Sequence, residues 1–414
     1  MLYPFAIQTI LSFCKGNYIF VAINREWKNM YILLFKKTKT RIGYCSPQQI
    51  EYAITIGYIL SNETMNSTAK LGNLNVLKYF FKKKNICTLY ACVCGCAAES
   101  GQINVLKWAR ENGCPWDKWT CASAAEGGHF ELLKWAIENG CPWDDWTCAF
   151  AAQKGHINIV KWLRANRCPW HEDICTYATE SGQVEILKWL RENGCPWNAD
   201  TCTSAANYGQ LEVLKWAHEN GCPWDEDTCA AAAEKGHLDI LIWARENSCP
   251  WDKWTCINAA RNKHFEILKW AHENGCPWHE YVCSNAAGYG NLEILKWARK
   301  EGCPWDEYTC ACAAKNGHLD ILKWARANGC PWNEETCSMA AKGGCLDILK
   351  WVRKNGCPWN KMVYSHAIRS GHLEILKWAS ENGCPWDEQT CQYAAKSGNT
   401  EISKWVRANG YPSQ

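Results

Sequence analysis

Cysteine has the greatest capacity for chemistry in this chain, since 29 of its 414 residues are Cys. Thiolates bind zinc, but zinc sites are usually built from close Cys-x-x-Cys pairs. The interval that recurs here is Cys-x6-Cys, as at Cys222 and Cys229. The spacing therefore disfavours zinc, and a metal would be sought only at the cluster of Cys92, Cys94 and Cys96.

Disulfides are the second chemistry that so many cysteines could support. Equivalent cysteines in neighbouring helical units are expected about 10 Å apart, beyond the roughly 7 Å Cα separation that a disulfide tolerates. This distance excludes a ladder of bridges between repeats, whereas a bridge inside one unit, Cys222 to Cys229, stays open. Because no signal peptide is evident, we expect most thiols to be reduced and buried as small hydrophobes. A secreted chain clipped by disulfides is the alternative.

Histidine is the next candidate for chemistry. Six of the 11 His occupy one register, from His129 to His372, and other copies carry Gln, Asn or Cys there. Such interchange suits hydrogen bonding at the start of a helix and not a ligand or a general base. No Ser-His-Asp arrangement, P-loop or dinucleotide-binding glycine motif is found in the sequence. We therefore expect no enzyme, no catalytic residue, no cofactor and no metal.

These residues all follow a 27-residue repeat. The tripeptide Cys-Pro-Trp recurs at this interval from Cys114 to Cys384, and a second Trp does so from Trp108 to Trp405. The two positions hold 23 of the 27 Trp, so the unusual composition is a property of one repeated unit. Regular units span residues 87–410, and diverged copies extend the array back to about residue 46.

One unit is expected to form two short helices. In residues 114–140, Asp117 is a good N-cap for a first helix over residues 121–126. A glycine pair ends that helix, and a second one is expected over residues 130–139, closed by Gly140 in the left-handed conformation. Apolar residues cover a wide arc of the second helix. Each hairpin must therefore stack on its neighbours to bury them.

The sequence of residues 309–329, Thr-Cys-Ala-x-Ala-Ala-x-x-Gly-His-Leu-Asp-Ile-Leu-Lys-Trp-Ala-Arg-x-Asn-Gly, resembles the ankyrin repeat. In this resemblance Cys310 takes the place of a buried Leu and Trp332 that of a buried Val. It implies an all-α, ankyrin-like solenoid of stacked helical hairpins over residues 46–414. Ankyrin units usually have about 33 residues, and the residues missing here are those of the projecting β-hairpin finger, so the fold should lack these fingers. Short Cys-Pro-Trp units of this kind resemble the ankyrin arrays of giant DNA viruses.

Residues 1–45 do not fit the repeat and are expected to form a small helical segment. A Pro-x-x-Ile-x-x-Ile-Leu start and an Asn-Arg-x-Trp finish resemble an F-box. The resemblance implies docking onto Skp1 of cullin ubiquitin ligases through residues 4–27, while the repeats hold a substrate. The alternative is a capping bundle over the first repeat. The candidate docking residues are Pro4, Ile7, Ile10, Leu11 and Trp27.

The positions at which the copies differ are expected to carry binding, because packing demands only the shared ones. Along the first helices these positions form an aromatic patch, an acidic stretch around Asp173 to Asp227, and a second aromatic patch. Exposed Trp and Tyr are typical binding anchors, although each ring could instead lie flat on the neighbouring helix. The candidates are Trp119, Trp146, Phe150, Tyr177, Trp254, Tyr281 and Tyr308.

Charge and hydropathy limit the kinds of partner. The 45 Lys and Arg are balanced by 42 Asp and Glu, and basic residues are not interleaved with the aromatics, so nucleic acid is disfavoured. The longest charge-free run at the start, residues 1–14, is shorter than the ~18 apolar residues of a membrane span. We therefore predict a monomeric protein-interaction scaffold in the cytoplasm, or the host cytoplasm if viral, acting as a substrate adaptor of a Skp1–cullin ligase. The alternative is a structural or host-factor-binding scaffold without a ligase role.

Overall fold

The structure, a computed structural model, describes residues 62–82, 91–171 and 173–409. This part of the chain contains 26 α-helices of seven to ten residues and no strand. For these residues, the prediction of an all-α array of helical hairpins without β-hairpin fingers is confirmed. Among the described residues, no helix is long and apolar enough to cross a membrane. The segment 1–45 lies outside the described residues, and with it Pro4, Ile7, Ile10, Leu11 and Trp27.

The chain divides into two compact units, and the first ends at Trp197. Its described helices alternate between the first and the second helix of each hairpin, so odd numbers mark first helices. They are α1 (Asn62–Lys70), α2 (Leu74–Lys82), α3 (Ala91–Glu99), α4 (Ile103–Glu111), α5 (Lys118–Glu126), α6 (Phe130–Glu138), α7 (Asp145–Gln153), α8 (Ile157–Ala165), α9 (Ile174–Glu180) and α10 (Val184–Glu192).

The second unit begins at Asn198 and continues the same alternation. Its helices are α11 (Ala199–Asn207), α12 (Leu211–Glu219), α13 (Glu226–Lys235), α14 (Leu238–Glu246), α15 (Lys253–Arg261), α16 (Phe265–Glu273), α17 (Glu280–Gly288), α18 (Leu292–Lys300), α19 (Glu307–Lys315), α20 (Leu319–Ala327), α21 (Glu334–Lys342), α22 (Leu346–Lys354), α23 (Met362–Ser370), α24 (Leu373–Glu381), α25 (Glu388–Lys396) and α26 (Thr400–Ala408).

The N-cap predicted at Asp117 is confirmed, but the helix after it is longer than predicted. The extended backbone of Asp117 lets its side chain accept from the Trp119 N–H at 3.1 Å, so α5 begins at Lys118 and not at Cys121. Thr120, three residues after the cap, does not complete a capping box. A complete box forms at Asp387, with Thr390.

The end of the second helix follows the prediction to within one residue. Helix α6 ends at Glu138, and Gly140 takes a φ of 81°. The Cys141 N–H then donates to the carbonyl of Ala136 at 2.9 Å, which satisfies a carbonyl that the helix end would leave unpaired. Left-handed backbone at this position explains why the repeat ends in glycine.

The core of each layer lies between its two helices and between successive hairpins. Small side chains of the first helix, such as Ala124 and Ala125, are fully buried and let neighbouring first helices pack closely, as α5 does on α3 and α7. Larger side chains of the second helix, such as Leu132 and Leu133, fill the space beneath. Burial of one Leu contributes roughly 1.5–3 kcal/mol.

The Trp of each Cys-Pro-Trp turn is only half-buried. The resemblance to ankyrin repeats instead predicted a buried position, since it matched Trp332 to a buried Val. Trp332 shows why, since the Arg326 guanidinium lies 4.1 Å from its ring centroid and also donates to the Cys330 carbonyl. The edge of Trp351 meets the same ring at 6.0 Å. The ring therefore joins the turn to the second helices before and after it.

Candidate functional site

Four of the predicted aromatic residues lie together in the first unit. Trp119 on α5, Trp146 and Phe150 on α7 and Tyr177 on α9 form a chain of ring contacts. Their centroids are 6.3 Å apart for Trp119 and Trp146, 5.5 Å for Trp146 and Phe150, and 5.9 Å for Trp146 and Tyr177. Because these residues sit on successive first helices, the hairpin spacing itself brings the rings together.

Packing explains part of this aromatic cluster. Trp146, Phe150 and Tyr177 are half-buried against one another, as the packing alternative predicts, whereas Trp119 keeps 47% of its surface exposed. His171, which the sequence reasoning missed, lies under the cluster with its ring centroid 4.3 Å from that of Trp146. The sequence could have pointed to His171, because it stands at the position where most copies carry the N-cap Asp or Asn.

The other three candidates, Trp254, Tyr281 and Tyr308, lie on α15, α17 and α19 of the second unit. They are 45%, 39% and 40% exposed. Each is the second residue of its helix, where its N–H donates to the capping side chain, as Tyr308 does to Asp306 at 3.1 Å. The cap thus fixes the backbone position of each aromatic residue. The three rings line one open cavity of about 720 Å³.

The predicted acidic residues are divided between the two units. Asp173 precedes α9 in the first unit, whereas Asp200 and Asp227 lie on α11 and α13 of the second. Burial and repulsion from Asp225 and Glu226 raise the pKa of Asp227 above its usual range. Carboxylates in these positions repel phosphate groups.

The cysteines contact one another in pairs that the sequence reasoning did not consider. The Sγ atoms of Cys94 and Cys114 are 3.3 Å apart, and those of Cys175 and Cys195 are 3.2 Å apart. Each contact lies between the Cys of a first helix and the Cys of the following Cys-Pro-Trp turn, 20 residues later.

The exclusion of disulfide bridges between equivalent cysteines therefore does not bear on these contacts. It compared only equivalent positions, whereas each Cys-Pro-Trp turn places its Cys beside the first helix of the preceding hairpin. The bridge considered inside a unit also lacks support, since Cys222 Sγ donates to the Asn198 carbonyl at 3.4 Å, and Cys229 neighbours Cys249. That neighbouring thiol and burial raise the pKa of Cys249.

The cysteines of α3 do not converge on one point. Cys94 faces Cys114, whereas Cys92 is exposed and Cys96 is half-buried. Across residues 62–82, 91–171 and 173–409, no group of three His, Cys, Asp or Glu side chains could hold a metal ion.

The recurring His makes hydrogen bonds, as predicted, but with a different partner. The Nε2 atoms of His129, His156 and His264 lie 3.0–3.1 Å from carbonyl oxygens at the end of the preceding first helix, such as that of Glu99. The ring also covers a glycine of that hairpin. A Cβ on Gly101 would stand 2.6 Å from His129 Nδ1, so this register holds neighbouring hairpins together.

Comparison with known proteins gives one family match. Residues 121–201 match the family model for ankyrin repeats, in three copies. This part of the chain is therefore similar to ankyrin repeats. Its 27-residue units shorten the connection between hairpins, and none of the curated proteins matches the chain.

Solved structures give distant likenesses to helical-repeat proteins. The human ASB11 ankyrin repeat domain is 15% identical with a TM-score of 0.35, covering 45% of this chain and 99% of that one. The pentatricopeptide repeat protein PPR10, in complex with an 18-nt psaJ RNA element, is 12% identical with a TM-score of 0.35. That likeness covers 86% of this chain, which spans 65% of the PPR10 chain, just under two thirds.

Proposed function

We propose that this protein is a protein-interaction scaffold that binds its partners through the first-helix face of each unit, the surface that the odd-numbered helices form within that unit. Repeat arrays of this kind bind proteins on extended surfaces made from successive units. The observation that carries the proposal is the exposure of Trp119, Trp254, Tyr281 and Tyr308, each 39–47% accessible on a first helix. Large rings in such positions supply much of the binding energy at protein interfaces.

The finer proposal is that the scaffold is a substrate adaptor of a Skp1–cullin ubiquitin ligase. It is supported by the Pro-x-x-Ile-x-x-Ile-Leu and Asn-Arg-x-Trp motifs of residues 4–27, which resemble an F-box. In this function, Ile7, Ile10 and Leu11 bind Skp1 while the repeats hold a substrate. The two activities use separate residues, so they can be tested separately.

Co-purification with Skp1 tests the adaptor proposal. Tagged full-length protein should retain Skp1, and Ile10→Asp or Leu11→Asp should abolish that binding because a charge would enter an apolar contact. The matched control is Trp119→Ser, which alters the array and should leave Skp1 binding unchanged. Absence of Skp1 from the intact protein would contradict the ligase role and favour a scaffold that works without one.

A further inference from the structure

The second unit contains a cavity of about 720 Å³ that crosses four successive first helices, α15, α17, α19 and α21. Gly288 at the end of α17 lines this cavity. The same position of α19 and α21 carries Lys315 and Lys342, and that of α15 carries Arg261. A Cβ on Gly288 would stand 3.2 Å from the Cβ of Cys312, so a larger side chain here would press against α19.

Negative charge is concentrated along one edge of this cavity. Glu280, Asp306, Glu307 and Glu335 all lie at or near the N-terminal ends of their helices. In the described part of the chain, no Lys, Arg or His lies within ion-pair distance of Asp306, Glu307 or Glu335, whereas Glu280 has His279 at 3.5 Å. Burial, together with the charges of Glu307 and Glu280, raises the pKa of Asp306. Among the described residues, Asp306, Glu307 and Glu335 therefore lack a counter-ion, and only Glu280 has a His beside it.

Aromatic rings form the wall beside these carboxylates. Trp254, Tyr281 and Tyr308 each present about two fifths of their surface, and Met339 lies further along the same cavity. A cation over an aromatic face and next to a carboxylate gains both cation–π and charge-assisted hydrogen-bond energy. Guanidinium suits such a wall better than ammonium, because it is planar and binds a carboxylate with two parallel donors.

The protein already uses this chemistry between its own hairpins. Arg261 donates Nε–H to the Tyr289 hydroxyl at 2.9 Å, and its guanidinium carbon lies 5.5 Å from the centroid of that ring. Tyr289 lines the same cavity. An arginine of a partner could thus pack against the Tyr308 ring as Arg261 packs against the Tyr289 ring.

We propose that this groove binds an extended segment of a partner protein through an arginine side chain, which packs on Tyr308 and pairs with Asp306 and Glu307. This inference deepens the proposed scaffold function and rests on it. At the far end, Lys315 and Lys342 face the backbone carbonyls or an acidic residue of the same segment. The carboxylates exclude nucleic acid, and the openness of the groove across several helices suits a chain rather than a small cation.

The test uses the full-length protein and a fluorescent peptide of alternating Arg and Ser, with binding followed by anisotropy. The double variant Asp306→Asn, Glu307→Gln removes both charges while Asn keeps the ability to cap the helix. Its binding should fall about tenfold or more, which corresponds to the loss of one charge-assisted contact. Tyr308→Leu should weaken binding comparably, since it removes the ring but keeps an apolar side chain.

The matched control is Asp225→Asn, Glu226→Gln, which changes the same two positions of α13 outside the cavity. It should leave affinity within about twofold if the groove is specific. No binding of the Arg-Ser peptide by the intact protein, equal loss in the control, or tighter binding of a Glu-Ser peptide or of single-stranded RNA would each overturn the proposal. If cellular partners still bind the first-helix face while the peptide does not, the groove assignment fails and the scaffold function stands.

Discussion

A buried threonine hydroxyl without a partner recurs in the first helices of both units. Among the described residues, the Oγ1 atoms of Thr120, Thr147, Thr255, Thr309 and Thr336 accept and donate no hydrogen bond. Thr390, at the same position of α25, does bond to its N-cap Asp387 at 3.1 Å. Other copies carry Val282 or Val363 there. The site therefore tolerates an apolar side chain of the same shape.

We expect Thr309→Val to raise the free energy of unfolding by about 1 kcal/mol, because it removes a buried hydroxyl without losing a hydrogen bond. Chemical denaturation of the full-length protein would measure this as a higher midpoint. Thr390→Val is the matched control and should lower stability by a similar amount, since it breaks the bond to Asp387. Equal destabilisation by both changes would show that the hydroxyl of Thr309 has a partner after all.

The contact between the thiols of Cys94 and Cys114 leads to a second prediction, which concerns their oxidation. The Cys94 thiol donates to Cys114, which lowers the pKa of Cys114 and raises that of Cys94. Diamide should therefore react first with the Cys114 thiolate. Cys94 then displaces the adduct, so that two thiols become one disulfide and their two electrons and two protons pass to the diamide. Oxidation should accelerate as the pH rises, because more of the thiols are deprotonated.

Mass spectrometry of digested, oxidised protein would identify the links. We expect peptides that join Cys94 to Cys114 and Cys175 to Cys195, and none that joins Cys222 to Cys229. Oxidation in denaturant is the control, since an unfolded chain favours bridges between cysteines close in sequence. Recovery of the Cys222 to Cys229 link from the folded protein would contradict the hairpin packing described above.

Among the helices, the contact between one hairpin and the next depends on a glycine under a His ring. A Cβ on Gly290 would stand 2.7 Å from the ring of His318. Lys263 is the exception among these glycine positions, with a φ of 66°, and the next hairpin there carries Asn291 in place of His. The Asn291 side chain instead accepts from the Ile294 N–H at 3.0 Å. The two exceptions thus compensate for each other.

We expect Asn291→His to destabilise the protein, because its ring would meet the Cβ of Lys263. Adding Lys263→Gly should restore stability, and Lys263→Gly alone should stabilise by about 1 kcal/mol by relieving the left-handed backbone. Asn399→His is the control, since Gly371 lies opposite and leaves room for the ring. Denaturation midpoints of the four proteins in the cycle measure the coupling. Additive effects would show that the two positions do not touch.

Much of each hairpin could be predicted from local sequence. The N-cap at Asp117 and the left-handed Gly140 are short-range effects, and both were confirmed. The three extra residues at the start of α5 were missed although the N-cap at Asp117 itself implies that the helix begins at Lys118. Contacts between hairpins were harder to predict, since the pairing of Cys94 with Cys114 depends on how a turn crosses the preceding helix. The cavity lined by Gly288 likewise forms only when four successive first helices are in place.

At the scale of the whole molecule, the positions shared between copies form the core, and variable positions carry the exposed rings. Positions identical in most copies, such as the Ala-Ala pair of the first helix and the Ile-Leu pair of the second, are buried in both units. Variable positions carry the exposed rings of Trp119 in the first unit and of Trp254, Tyr281 and Tyr308 in the second. A chain with a net charge of only +3 does not attract polyanions strongly, and the proposed function therefore assigns recognition to these local surfaces.

Quantitative affinity capture with two variants of equal size tests the binding role of the first-helix face most directly. One variant changes Trp119, Trp254, Tyr281 and Tyr308 to Ser. The other changes four glutamates of second helices to Ser. These are Glu131, Glu212, Glu266 and Glu374, whose side chains are 73–82% accessible. Circular dichroism should confirm that both remain folded. We expect the partners of the wild-type protein to be lost from the first variant and retained by the second, and the reverse pattern would contradict binding through the first-helix face.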